Sequence, residues 1–139
     1  MERVIRPGGG ICAYAWDILG GGFPNFALQD EMAKLRQQPL WPPSVEAARL
    51  KALRASWTAA GLVDVETHEV VVERTFADFD AFWSAARKDP RMAPKLADMP
   101  GGDVDLLKQR LRERLKADAR GRITYAARVN AVRGRRPDR

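Results

Sequence analysis

The feature that most constrains the fold is a proline followed by three glycines, Pro7 to Gly10, with almost no chain in front of it. A helix cannot continue through Pro7, and glycines adopt backbone angles that are closed to other residues. We therefore interpret Arg3 to Asp17 as the end of a helix, a turn, and a strand over Ile11–Trp16 that is apolar on both faces. Such a connection normally lies in the middle of an α/β domain. The chain is expected to be the second half of a larger unit.

Hydrophobic periodicity and turn residues predict further elements along the chain. They are a helix over roughly 25–37 with Asn25 as its cap, a helix from Ser44 to Gly61, a strand over 63–72 in which Val70 to Val72 turn inward, a helix capped by Thr75, a helix around 106–115, and a last strand over 123–131. Residues 88–102 contain Pro90, Pro94 and Pro100 and are expected to be the least ordered stretch.

In this order, the segments resemble the class I S-adenosylmethionine-dependent methyltransferases (methyltransferase type 11-like). Arg3 to Asp17 is similar to the Pro-Gly-Gly turn that leads into the fifth strand of that family. Residues 53–62 are similar to the helix that ends in Ala-Gly-Leu before the sixth strand. Residues 63–72, 75–83 and 121–134 are similar to that strand, the helix after it and the last strand.

The resemblance implies an α/β or α+β fragment, the C-terminal half of a Rossmann-like domain. It would have about three strands in mixed or antiparallel order and four to five helices. The strand over 123–133 would run antiparallel between Ile11–Trp16 and 64–73. The 139 residues would form one partial domain: a turn and first strand over 1–17, a helical substrate-side segment over 18–62, and a strand, helices and last strand over 63–139.

The glycine-rich loop that holds S-adenosylmethionine in this family follows a strand and opens a helix. Glycines are needed there because the backbone must approach the ligand closely. The chain has Gly8 to Gly10 and Gly20 to Gly22. The first run precedes a strand instead of following one, and the second lacks the Gly-x-Gly-x-x-Gly spacing that opens a helix. Both are interpreted as turns. The resemblance therefore implies this cofactor while the residues leave its binding by this chain in doubt, with no cofactor-binding residue assigned.

The family sheet continues beyond the strand at Ile11–Trp16, where this chain has no further strands to offer. An unpaired strand edge invites pairing with another chain. We therefore expect either a homodimer joined through Ile11–Trp16 or a complex with a separate N-terminal methyltransferase half.

Trp16, Asp17 and Trp41 are the candidate site residues, on the acceptor-substrate side that the resemblance implies. Ligands bind open α/β sheets at the carboxyl ends of strands, where Trp16 and Asp17 would lie. Asp17 is a candidate base or hydrogen-bond acceptor; the alternative is that it caps the following turn. Catalytic residues stay unassigned.

Other chemistry finds little support in the residue types. Trp57 and the aromatic stripe (Phe76, Phe79, Phe82 and Trp83) could line an acceptor pocket, although a core role is the simpler interpretation. His68 is the only histidine and Cys12 the only cysteine, so the sequence indicates no metal site, no internal disulfide and no nucleophile with a partner base. Cys12 is expected to be buried in its strand. A reducing, cytoplasmic compartment is favoured, without a membrane span or a signal peptide.

Charge is concentrated at one end: residues 108–139 contain 12 Lys or Arg and 3 Asp or Glu. This asymmetry can indicate nucleic-acid binding, but no aromatic residues interleave with the arginines as a stacking platform would require. Three functions are therefore weighed. The first is the acceptor half of a small-molecule methyltransferase that is inactive alone. The second is a non-enzymatic, dimeric ligand-binding or interaction module derived from such an enzyme. The third is a basic nucleic-acid binder.

Overall fold

The computed structural model of the chain describes residues 4–36, 41 and 44–138, and these contain three strands and five α-helices. In chain order they are β1 (Gly10–Trp16), α1 (Phe26–Arg36), α2 (Leu50–Ala59), β2 (Val63–Phe76), α3 (Phe79–Lys88), α4 (Ala93–Ala97), α5 (Gly101–Arg114) and β3 (Ile123–Arg135). The predicted α+β class, with about three strands and four to five helices, is confirmed. Of the residues expected to end a helix before Pro7, Val4 has 3-10 geometry and residues 5 and 6 are not helical, while residues 1–3 lie outside the described part of the chain.

The three strands form one sheet in the order β1-β3-β2. β1 and β3 are antiparallel, in a register that pairs Gly10 with Arg135 and Trp16 with Val129. Contacts of Glu66 with Arg133 and of Thr75 with Thr124 show that β2 is antiparallel to β3 as well. β1 and β2 therefore run in the same direction on either side of β3, which confirms the predicted strand order.

The described residues divide into two compact units. The first comprises residues 4–24, 41, 44–72 and 127–138, and the second comprises 25–36 and 73–126. β2 and β3 each contribute residues to both. The grouping of all 139 residues into one partial domain stays a prediction.

The second unit has a closed apolar core. Phe82, Leu107 and Leu111 are at most 2% exposed, and the aromatic rings of Phe76 and Phe82 meet edge to face with centroids 5.5 Å apart. The core interpretation of the aromatic stripe is thus confirmed. The cluster consists of Leu28, Met32, Phe76, Phe82, Trp83, Ala86, Met92, Leu96, Met99, Leu107 and Leu111.

The predicted cap of the helix after β2 was wrong. Thr75 does not cap a helix, because Thr75 and Phe76 are the last residues of β2. α3 begins instead after Asp78, whose carboxylate accepts a hydrogen bond from the Ala81 amide at 2.8 Å, as an N-cap residue does.

The stretch 88–102 is ordered, contrary to expectation. It contains α4, with Pro94 in the first turn, where its missing N–H costs no hydrogen bond. Met92, Leu96 and Met99 project from this stretch into the core of the second unit. Burial of these three apolar side chains outweighs the interruptions by proline.

The first unit has a smaller core of Trp57, Leu62 and Val132. Trp57 is 7% exposed, which confirms its predicted core role. The helix predicted from Ser44 is broken: Ser44 makes no side-chain cap, a 3-10 turn over Val45–Ala48 follows, and Arg49 is extended with ψ of 143° before α2 starts. The predicted stop at Gly61 is confirmed, since its φ of +82° lies in the left-handed region that favours glycine.

Two strands are more exposed than the sequence suggested. Cys12 is exposed, Tyr14 is 75% exposed, and Val70, Val71 and Val72 are 46–57% exposed. Three expectations were therefore wrong: that Cys12 is buried, that the three valines turn inward, and that β1 is covered on both faces. The reason is position: β1 and β2 are the edge strands of the described sheet, so neighbours that would cover them are not among these residues.

Candidate functional site

The carboxyl end of β1 carries a chain of three aromatic rings in the first unit. The centroid of Trp16 lies 6.1 Å from that of Phe23 at an interplanar angle of 79°, and Phe23 lies 6.4 Å from Trp41 at 71°. Both are edge-to-face contacts, which are favourable for aromatic pairs. The structure thus links the predicted residues Trp16 and Trp41 through Phe23, which sequence analysis missed. All three side chains are half-buried, so they form an apolar wall that is still partly open to solvent.

Asp17, directly after β1, is held by groups of its own unit. Its Oδ1 accepts a hydrogen bond from the Gly20 amide at 3.1 Å, and its Oδ2 lies 3.0 Å from Nε of Arg128 on β3. The alternative interpretation, that Asp17 caps the following turn, therefore agrees with the hydrogen bond to the Gly20 amide. With both oxygens engaged, Asp17 is better suited to position the loop than to remove a proton from a substrate.

The loop after β1 is fixed to β3 by its backbone. The Asp17 amide donates to the Arg128 carbonyl at 2.9 Å, and the Arg128 amide donates to the Gly22 carbonyl at 2.8 Å. Arg128 also donates from its guanidinium to the Gly20 carbonyl at 2.9 Å. The sequence signal that could have found this was the pair of small residues at Gly20 and Gly22, because only a chain without Cβ atoms approaches another strand this closely.

Gly8, Gly20 and Gly22 of the two glycine runs lie close against other parts of the chain. A Cβ atom at Gly20 would lie 2.0 Å from Oδ2 of Asp17, and one at Gly22 would lie 2.7 Å from Cβ of Arg128. At Gly8 the same space is taken by Asp138, at 2.7 Å. The space that glycines would leave for a ligand is thus filled by the chain itself, so these residues form structural turns.

Asn130 on β3 is a buried polar residue that sequence analysis did not single out. It is 3% exposed and pairs in register with Ala15 of β1. Its Nδ2 donates to the Ala48 carbonyl at 2.9 Å, whereas its Oδ1 accepts from no described residue. A buried amide oxygen is normally hydrogen-bonded, so Oδ1 of Asn130 is an available acceptor. It lies on β3 at the position that pairs with Ala15, the residue before Trp16. Its position inside an otherwise apolar alternation gave no distinct sequence signal.

The basic residues of α5 are largely paired within the second unit. Arg114 contacts Glu31 at 2.8 Å, Arg112 lies 3.5 Å from Asp80, and Arg110 lies 3.9 Å from Glu31. Burial alone would lower the pKa of Arg114, but the hydrogen bonds that Arg114 donates to Asp30 and Glu31 outweigh burial and raise it. These cations are engaged by acids of the same unit, which reduces what they can offer to a phosphate backbone.

Other chemistry has few residues to use. Among the described residues, no three His, Cys, Asp or Glu side chains lie close enough together to hold a metal ion. His68 is exposed, with its Nε2 3.6 Å from Oε2 of Glu66. None of the helices in the described ranges is both long enough and apolar enough to cross a membrane.

Comparison with protein-family models and with curated protein sequences finds no match for this chain.

Proposed function

We propose that this chain is the acceptor-substrate half of a methyltransferase that uses S-adenosylmethionine to methylate a small molecule. The observation that carries the proposal is the strand order: β3 runs antiparallel between β1 and β2, which is the arrangement that the resemblance to class I methyltransferases implies. A three-stranded arrangement of this kind needs a crossover between two strands that run in the same direction. Here the chain between β1 and β2 contains α1 and α2.

The aromatic wall at the end of β1 supports the assignment to the acceptor side. Ligands of open α/β sheets bind at the carboxyl ends of parallel strands, and Trp16, Phe23 and Trp41 line up at such an end. Asp17 and Arg128 hold the loop that carries Phe23. The role of these residues would be to bind and orient an apolar acceptor, since methyl transfer depends more on positioning than on acid–base catalysis.

The cofactor half would come from outside these 139 residues, because the glycine runs are filled by their own neighbours. We therefore propose that the chain is catalytically incomplete alone. It would associate through the edge strand β1, either with a second copy or with a methyltransferase N-terminal half. The lone cysteine favours a reducing compartment, and we propose a cytoplasmic location.

The test is a calorimetric titration with S-adenosylhomocysteine, the demethylated product, in two samples. One sample is the chain alone; the other is the chain mixed with a polypeptide that carries the first four strands and the Gly-x-Gly-x-Gly loop of a class I methyltransferase. We expect no heat from the chain alone and saturable micromolar binding in the mixture. The loop half titrated by itself is the control. If the mixture binds no more tightly than the loop half does, the proposal is wrong.

A second candidate, a non-enzymatic dimeric binding module, is favoured by the exposure of β1. Tyr14 at the open edge is 75% exposed, which suits a strand that pairs with another chain. A stable homodimer that ignores the cofactor even in the presence of the loop half would favour this candidate. A nucleic-acid binder is the third; its signature would be an affinity that falls steeply with salt, and the internal ion pairs of α5 argue against it.

A further inference from the structure

We propose that the second unit contains a binding site for an aromatic carboxylate, separate from the aromatic wall at the end of β1. The site is an open cleft of about 790 Å³. Clefts of roughly 300–1,000 Å³ are the usual size for small-molecule ligands. Its lining residues are Asn25, Arg74, Phe76, Ala81, Ser84, Ala85, Ala86, Lys88, Asp89, Pro90, Arg91 and Tyr125.

The floor of the cleft is aromatic. The rings of Phe76 and Tyr125 are stacked, with centroids 5.8 Å apart and an interplanar angle of 27°. Phe76 is fixed from below by Phe82 of the core, and the side chains of Thr75 and Thr124 hydrogen-bond at 2.8 Å between the two strands that carry the floor. Phe76 is thus held by its neighbours and only 8% exposed, whereas Tyr125 is half-buried and is the ring of the pair that a ligand can reach.

One wall of the cleft is a face of α3 that has small side chains. Ala81, Ser84 and Ala85 lie on it at helical spacing, followed one turn later by Lys88. The opposite face of α3 carries the buried Phe82 and Trp83. Large residues thus anchor the helix to the core, while the small ones leave the cleft open.

The lining of the cleft includes the cations Arg74 and Lys88. The guanidinium carbon of Arg74 lies 4.7 Å from the Phe76 ring centroid, as a cation–π contact. Neither Arg74 nor Lys88 forms an ion pair with a described carboxylate, in contrast to the basic residues of α5. Two uncompensated positive charges next to an aromatic floor select a ligand that combines a negative charge with a ring.

Asp89, the one acid among the described residues that line the cleft, is already paired. Asp89 accepts from the Arg91 amide at 2.9 Å and from the Arg91 guanidinium at 3.2 and 3.3 Å. Hydrogen bonds from Arg91 hold the pKa of Asp89 below its usual value in spite of partial burial. Asp89 also receives a hydrogen bond from Asn25 at 3.5 Å, so it holds the rim together. The cleft as a whole is positive, and a carboxylate suits the planar fork of Arg74.

The test is a calorimetric titration of the full chain with 2-naphthoate, alongside the neutral isostere 2-naphthamide and inorganic phosphate. We expect 2-naphthoate to bind at least about 10-fold more tightly than 2-naphthamide, because a charge-assisted hydrogen bond distinguishes them. Phosphate should not compete. Equal binding of the two naphthyl compounds would remove the role of the cations, and effective competition by phosphate would mean a general anion site; either result overturns the proposal.

Variants locate the binding within the cleft. The double variant Arg74→Gln/Lys88→Gln should weaken 2-naphthoate binding about 10-fold or more while leaving 2-naphthamide unchanged. The double variant Arg54→Gln/Lys95→Gln removes one arginine and one lysine charge at exposed positions that are not among the lining residues and should change neither. Ala85→Leu should fill the cleft and abolish binding of both compounds, with thermal unfolding showing that the variant is folded. Unchanged binding in Ala85→Leu would place the ligand elsewhere and refute the site. No cofactor is involved, so this result is independent of the methyl-transfer proposal.

Discussion

The two units of the chain differ in how completely each buries its own apolar residues. The second unit has a cluster of eleven buried residues, whereas the cluster in the first unit has three. The first unit also carries the edge strand β1, with Tyr14 exposed, and fixes its loop mainly through backbone hydrogen bonds and the contact of Asp17 with Arg128. The comparison teaches that the second unit is stabilised by the larger core, while the first has a smaller core, local polar contacts and an exposed edge strand.

The largest expected effect tests the core of the second unit. Phe82 is 2% exposed and contacts Phe76, Phe79 and Tyr125. Phe82→Ala should lower the free energy of unfolding by about 3–5 kcal/mol, because it removes buried area and leaves a cavity. Urea denaturation measures the loss. A loss under about 1 kcal/mol would contradict a closed core, since that is the range of ordinary surface changes.

The next effect tests whether the glycine loop stabilises the first unit, as the apolar core stabilises the second. Gly20→Ala would place a Cβ atom 2.0 Å from Oδ2 of Asp17, so the Asp17 carboxylate must move and its contact with Arg128 is disturbed. We expect a loss of about 1–3 kcal/mol, measured by thermal unfolding.

The matched control is Gly102→Ala in the first turn of α5. Nothing lies within 4 Å of the Cβ position there, and alanine is favoured over glycine in a helix by up to about 1 kcal/mol. This control should therefore be neutral or stabilising. Equal losses for the two variants would mean that the loop after β1 is not close-packed.

The open edge of the first unit allows a sharper test of partner binding. The Asp17 amide donates to the Arg128 carbonyl on β3, and the Gly9 carbonyl accepts from the amide of Arg136, the residue after β3. Since strand geometry alternates with a period of two, the amides of Cys12, Tyr14 and Trp16 point away from β3. Tyr14→Lys places a charge on this edge, which natural proteins use to prevent strand pairing.

We expect the chain to self-associate in light scattering, and Tyr14→Lys to raise the dimer dissociation constant by about 10-fold or more. Val71→Lys on the other edge strand serves as the control, because Val71 is also exposed, and it should leave the dimer intact. A wild-type chain that is monomeric at all concentrations would remove the proposed homodimer through β1. The opposite pattern, in which only Val71→Lys dissociates the dimer, would move the interface to β2.

The elements were predictable from the sequence where a local signal decided them. Gly61 ended α2 because its backbone angle requires glycine, and the alternation from Ile123 gave β3. The exposure of Cys12 and Val71 could not be predicted, because apolar strands look the same whether they lie inside a sheet or at its edge.

The candidate site was predictable only in part. Trp16 and Trp41 lie 25 positions apart and meet through Phe23, a contact that depends on the path of the loop. The capping role of Asp17 was a local feature and was foreseen as an alternative. The partner of Asp17, Arg128, lies 111 positions away on another strand. Tertiary pairing of this kind leaves no trace in one sequence.

The smallest effect concerns the acid pair of the second unit. Burial alone would raise the pKa of Asp30, but hydrogen bonds and charges from Lys34 and Arg114 outweigh it and hold the pKa below its usual value. A carboxyl with a lowered pKa in the folded state adds stability above its unfolded pKa and loses it as pH falls through its folded pKa. The unfolding free energy of the wild type should therefore decline as pH falls below about 4.

Arg114→Gln removes one of the two cations that lower this pKa, so the decline with falling pH should be shallower in the variant. At neutral pH the variant should lose about 1 kcal/mol, a value kept small because the Arg114 side chain is one third exposed and the pair is screened by water. Arg133→Gln in the first unit is the control: its pair with Glu66 is far more exposed, and the stability should stay close to that of the wild type at every pH. If both variants behaved alike, the ion pairs of the second unit would be no better buried than the cross-strand pairs of the first, and the contrast between the units would rest on their apolar cores alone.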